Sequence, residues 1–201
     1  MMVATFDVAQ RLAEGEQALA VLDDYVAACR ALGLPSAASL PDLYRAESGL
    51  DLAALTADAR SLDAAALAAQ DALRLQGNGY RELTDQWSGT GGDAAAGFLR
   101  TLTTAAEDVV AHLQRGAQAL TTLRDELWRA VDAKVDAVVR AGAQAAGHRE
   151  EWHAAARAVL GGAGHVAAAS EIVDQQVKPF VLRAVDGDLL PALLAASEAV
   201  A

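Results

Sequence analysis

A single cysteine, Cys29, stands alone among the 201 residues, so no internal disulfide can form and the fold must hold by packing. Its small side chain reads as a buried core residue rather than a reactive thiol. Aromatic residues are scarce, at 4 %, while hydrophobic residues reach 53 %. Alanine and leucine therefore carry the apolar surface, and helix propensity is high nearly throughout. β-Branched runs are short, and no stretch reads as a strand. Positive charge is also in deficit: 16 Lys and Arg against 27 Asp and Glu leave a formal net charge of -11. That balance opposes binding to phosphate backbones and anionic membranes, so nucleic acid is not an expected partner. The opening MMVATFDVAQRLAEGE lacks the basic and continuous apolar regions of a secretory signal. No stretch reaches the roughly 18 uninterrupted apolar residues of a membrane span. These absences leave an all-α fold, expected as an elongated antiparallel helical bundle forming a single helical domain over 1–201.

What is present is a pair of apolar stripes on either side of a glycine-rich bend. Leu52, Leu55, Ala59, Leu62, Ala66, Ala69, Leu73, Tyr80, Leu83 and Trp87 follow steps of three and four, broken only by Gln76. That spacing is one face of one helix. Gly89, Gly91 and Gly92 then supply the backbone freedom of a chain reversal. Thr90 or Ser88 is placed to cap the next helix, and Asp93 puts negative charge in its first turn. The stripe resumes with Phe98, Leu102, Ala105, Val109, Leu113, Leu120, Leu123, Leu127 and Val131. Two long helices joined by a short loop should lie antiparallel, stripe against stripe. The second should start near Gly92 and end near Ala146, at Gly142 or Gly147, a rod of roughly 80 Å at 1.5 Å per residue. In the first, two interior glycines at Gly77-Asn78-Gly79 cost about 1 kcal/mol each, so the helix either kinks there or is carried through by packing.

The remainder follows the same logic. A first helix is expected over 5–32, with Phe6, Ala9, Leu12, Glu16, Leu19, Val21, Leu22, Val26 and Cys29 near its buried side. Pro35 and Pro41 frame a connection over 33–50, too rich in helix breakers to continue either neighbour. Leu34, Leu40, Leu43, Tyr44 and Leu50 mark it as ordered. The hairpin occupies 51–146, and C-terminal helices fill 149–201. Trp152, Ala156, Val159 and Leu160 open that last region, with breaks expected at Gly161, Gly162 and Gly164, at Pro179 and at Asp186-Gly187-Asp188. The apolar tail from Leu189 reads as docked or partner-bound. Trp128 either widens the buried face for a third helix or marks an exposed patch.

Catalytic apparatus is not visible. His112, His148, His153 and His165 are the only candidates for metal or acid–base work, and His148 and His153 lack the four-residue spacing of HExxH. Glu150 and Glu151 offer them a carboxylate–imidazole surface pair, and His112 reads as a boundary residue. The loop SGTGGD lacks the Lys-Ser/Thr ending of a phosphate-binding loop, and Asp93 would repel a phosphate. No nucleophile elbow occurs. The expectation is a non-enzymatic protein with no cofactor and no metal.

The stretch LTDQWSGTGGDAAAGFL carries a family resemblance. A long helix, Trp-Xaa-Gly in the bend and a second helix opening with small residues are similar to the WXG family, small helical-hairpin substrates of type VII (ESX) secretion systems. Trp87 and Gly89 occupy the two name-giving positions, with Ala94 to Gly97, Phe98 and Leu99 following. The resemblance covers roughly 51–133. It implies a secreted substrate, or the leader domain of one, acting through helix–helix contacts. Recognition would lie at Trp87, Ser88, Gly89, Tyr80 and Phe98, facing a helical protein partner or the secretion machinery. Location outside the cell or in the envelope follows from it, and the Ala-rich, Lys-poor composition resembles that of high-GC actinobacteria. The family's export signal, Tyr followed four residues later by Asp or Glu, has no counterpart: Tyr25, Tyr44 and Tyr80 are followed by Cys29, Ser48 and Thr84. The alternative is a cytosolic helical adaptor or immunity-type protein holding one effector. Monomer and dimer are both compatible with the sequence.

Overall fold

A computed structural model describes residues 6–35, 39–162 and 166–198. Every regular element among them is helical. In chain order these are α1 (Val8–Ala13), α2 (Glu16–Ala31), α3 (Leu40–Arg45), α4 (Leu52–Gln86), α5 (Thr90–Gln144), a 3-10 turn (Ala146–His148) and α6 (Arg149–Gly161). The last stretch alternates α7 (Val166–Ile172), π1 (Val173–Val177), α8 (Lys178–Phe180), π2 (Val181–Leu189) and α9 (Leu190–Glu198). The fold is an all-α helical bundle, and the chain divides into two compact units, Ala53–Asp125 and Met1–Leu52 with Glu126–Ala201. No helix among the described residues is long and apolar enough to cross a membrane.

Ala53–Asp125 is the hairpin. Arg124 Nη1 donates to Thr56 Oγ1 at 3.5 Å, and Gln76 Nε2 to Thr103 Oγ1 at 3.0 Å. Between them Leu62 meets α5 at Gly116. As numbers rise along α4 they fall along α5, which makes the pair antiparallel. The α4 stripe is the expected one: Ala59 and Ala66 are buried, while Leu55, Leu62, Ala69, Leu73, Tyr80 and Leu83 are half-buried. Gln76 is no flaw in it, because its amide crosses to Thr103. The helix also runs unbroken through Gly77-Asn78-Gly79, where a kink was one expectation. Seam contacts carry the backbone on, and Arg81 donates to Gly77 O and Asn78 Oδ1.

On α5 the expected stripe holds in part: Leu113, Leu120, Leu127 and Val131 are buried or half-buried, and the other members are out of register. Leu99, Thr103, Ala106, Val110, Leu113, Ala117 and Leu120 line the seam, buried or half-buried, whereas Phe98, Leu102, Ala105, Val109 and Leu123 are exposed. Small residues along the seam, Ala59 and Ala66 on α4 and Ala106 and Ala117 on α5, let the two backbones approach, and the bulkier stripe is turned aside. The helix also passes Gly142, an expected stop, and ends at Gln144. Gly142 serves a different need: a Cβ there would lie 2.8 Å from the Ala18 methyl, so its hydrogen lets α2 cross close by.

The other unit holds the conventional core. The expected single first helix is two, because Tyr44 interrupts it. Its hydroxyl donates to Leu12 O at 2.7 Å, and a Cβ at Gly15 would sit 2.2 Å from that oxygen. Leu19, Leu22, Tyr25, Val26 and Cys29 are buried on α2, while Ala9 on α1 is exposed. The described residues 39–50 of the connection are partly helical, since Pro41 occupies the first turn of α3, where a missing N–H costs nothing, and Ser39 Oγ caps it; residues 36–38 lie outside the described residues. Leu34, Leu40 and Tyr44 are buried there. Trp128 widens the buried face, meeting Phe6 edge-on at 5.5 Å. Gly162, at φ 60°, ends α6 in the left-handed region. Gly164 and the expected helix start at Thr5 lie outside the described residues.

Neither Pro179 nor Asp186-Gly187-Asp188 breaks the final stretch. Proline removes a donor and crowds the preceding turn. The wider π turns before and after it absorb that misfit and keep Val177, Phe180, Val181 and Leu189 buried. The tail docks as expected: Leu193 and Ala196 are buried, and α9 packs on α3. Beneath it lies a buried ion pair between Lys134 and Glu47. Lys134 Nζ also donates to Leu43 O at 2.7 Å, and Ser197 Oγ donates to Glu47 Oε1 at 3.4 Å.

Candidate partner-recognition site

The bend is compact because each glycine meets a separate steric demand. Trp87 N donates to Leu83 O, closing the last turn of α4, and Asp93 N donates to Gly89 O, opening α5, both at 2.9 Å. Gly89 turns the chain between them at φ 94°, a value L-residues rarely adopt. A Cβ at Gly92 would lie 2.7 Å from Trp87 O, and one at Gly91 would lie 3.2 Å from the indole. The first turn of α5 is thus a glycine floor on which Trp87 rests. The indole remains 50 % exposed. A half-exposed tryptophan at a helix junction combines a large apolar face with one ring N–H, a side-chain type enriched among interface anchors.

The residues expected to mark recognition separate into three settings. Trp87, Ser88 and Gly89 sit together and exposed at the bend. Tyr80 lies half-buried in the α4–α5 seam, near the turn where Gln76 reaches Leu99 O and Thr103. Phe98 is 68 % exposed two turns into α5, on the stripe turned away from the seam. Leu102, Val109 and Leu123 share its setting, and their common role was missed because Leu113, Leu120 and Leu127 interleave with them. The legible signal is a second heptad offset from the seam by one residue.

Two of the described histidines make side-chain contacts within the unit of residues 1–52 and 126–201. His148 stacks on Trp152 with ring centroids 4.8 Å apart, and Trp152 Nε1 donates to Gln176 Oε1 at 2.9 Å. His153 Nε2 pairs with Asp24 Oδ2 at 2.8 Å, in place of the neighbouring glutamates. His112 is exposed, with Nδ1 2.6 Å from Asp108 O. His165 lies outside the described residues. Among those residues no three His, Cys, Asp or Glu side chains converge as metal ligands would. Cys29 is fully buried, and desolvation pushes its thiol up to about 11, so thiolate chemistry is suppressed. A cleft of about 350 Å³ lined by Arg140, Gln144 and Asp188 above Ala137 and Ala141 presents both charge signs and selects for neither. No protein-family model matches this chain, and neither a curated protein nor a solved structure matches it.

Proposed function

We propose that the protein is a WXG-like component of a type VII secretion system, a secreted substrate or the leader domain of one, working through helix–helix contact rather than catalysis. The observation that supports this reading most directly is the bend. Trp87 is held half-exposed on Gly91 and Gly92, and Gly89 makes the reversal between two long antiparallel helices. A partner helix laid across the helix ends would bury the exposed half of the indole. The absence of a Tyr-Xaa-Xaa-Xaa-Asp/Glu signal favours a second reading, a cytosolic helical adaptor that uses the same surface to hold one effector.

Fractionation of the native host separates the two. Export that stops when the secretion ATPase is inactivated, and that falls in Trp87→Ala while the variant keeps its helicity, is the expected result. Retention in the cytosol of every strain overturns the substrate reading and leaves the adaptor.

A further inference from the structure

The cleft of about 350 Å³ between the last turns of α5 and the π2 turn is of a size that takes a small molecule. Its floor is apolar and shallowly furnished, with Ala137 and Ala141 from α5 and Ala184 and Leu189 from π2, all buried. Its rim is charged. Arg140 on α5 and Asp188 on π2 line it, both exposed. Opposite charges that share a cleft ordinarily close on each other, yet these two form no ion pair, with each other or with any group among the described residues. Charges nearby do pair: Arg11 reaches Asp132 and Asp136, the latter one turn before Arg140 on α5. π2 supplies half of the residues that line the cleft, and Gly187 among them adds no side chain to fill it. A π turn has poorer hydrogen-bond geometry than an α turn and is found mostly where a site makes use of it.

We propose that this cleft binds a free aliphatic α-amino acid, with Arg140 on its carboxylate, Asp188 on its ammonium and its side chain on the apolar floor. A ligand of one sign gains at one wall what it loses at the other. A zwitterion gains at both, and because it is neutral overall the net charge of -11 neither attracts nor repels it. The planar guanidinium of Arg140 matches a carboxylate with two parallel N–H donors. Gln144, which also lines the cleft, stands one turn beyond Arg140 on the same face and offers an amide to either end of the ligand.

The lining also selects among zwitterions. Among the described residues no aromatic ring lines the cleft, and aromatic faces are what hold a quaternary ammonium, so betaines fit poorly. A primary ammonium, with three N–H donors for Asp188 and Gln144, fits well. A further charge on the ligand's side chain would lie unpaired against the alanines, which disfavours acidic and basic amino acids. The end of a peptide brings one charge alone and leaves the other wall unmet. Neither a histidine nor a nucleophilic side chain lines the cleft among the described residues, so the ligand is held rather than transformed. The inference rests on the cleft, its floor and its two unpaired charges, and is independent of the secretion reading.

Titration of the full chain with L-leucine at neutral pH, followed by calorimetry and by the amide resonances of 137–144 and 184–189, tests it. Saturable binding with a dissociation constant of about 1 mM or below is expected. Two probes divide the ligand: 4-methylpentanoate keeps the carboxylate and lacks the ammonium, and 3-methylbutylamine does the reverse. Each should bind about tenfold weaker or worse, having lost one charge-assisted contact. Arg140→Gln should weaken leucine and 4-methylpentanoate and leave 3-methylbutylamine unchanged, and Asp188→Asn should do the opposite. Both side chains are exposed, so the variants should keep the wild-type helicity. No saturable binding of leucine at about ten times the expected constant, a probe that binds as tightly as leucine, or leucine binding that survives both substitutions together each overturns the proposal.

Discussion

The two units solve burial with different means. The unit built from residues 1–52 and 126–201 buries whole large side chains, Tyr25, Tyr44, Phe180 and Leu193 among them, and even seals the Lys134–Glu47 pair away from water. The hairpin of 53–125 buries Ala59, Ala66, Val110 and Ala117, and leaves its larger apolar residues half-covered or exposed. Two helices offer each other one line of contact, whereas a side chain among three or four helices is enclosed on every side. Self-sufficiency therefore belongs to the first unit and availability to the second. The bend at Trp87 and the outer stripe of α5 both lie in the hairpin.

The contrast is sharpest at Lys134. Replacing it with alanine leaves Glu47 charged and buried without its partner, and urea unfolding should show a loss of about 3–5 kcal/mol. Lys134→Met combined with Glu47→Leu should recover most of that loss, because an apolar pair fills the site without the desolvation cost. In the hairpin the comparable lesion is backbone. Gly92→Ala forces a methyl against Trp87 O and should cost about 1–3 kcal/mol. Amide exchange should quicken across 83–99 and stay unchanged across 131–141. Its control is Gly97→Ala, where no atom lies within 4 Å of the added Cβ and the helix should gain about 0.5–1 kcal/mol. The smallest effect belongs to Leu67→Gln. That leucine is exposed, so stability should hold within about 0.5 kcal/mol.

How far the sequence was legible divides along similar lines. The all-α class, the position of the bend and the whole α4 stripe follow from periodicity and glycine placement, because α4 has a single apolar face. α5 misleads because it has two, and a reading by hydrophobicity follows Phe98, Leu102 and Val109 onto the outer one. The seam prefers Thr103, Ala106 and Ala117, chosen for size and for a partner at Gln76, which hydrophobicity does not measure. The break at Gly15 was hidden for another reason. Its cause is Tyr44, nearly thirty residues away, and local pattern carries no trace of a ring that arrives from elsewhere. At the candidate site Trp87 and Gly89 were legible as a motif. The glycine floor under the indole was not, since it depends on which atoms Gly91 and Gly92 leave room for.

The π turns at Val173–Val177 and Val181–Leu189 set the phase of everything after them. A π turn holds an extra residue within one wider turn, so the α segments it joins keep their apolar faces on the core. Deleting one residue from α9, at Ala192, where no wide turn takes up the change, would swing the rest of the stretch through about 100°. Leu193 and Ala196 would leave the core, and Ser197 would lose sight of Glu47. Length in this segment is thus as strictly specified as composition, and a one-residue deletion here would do more harm than most substitutions.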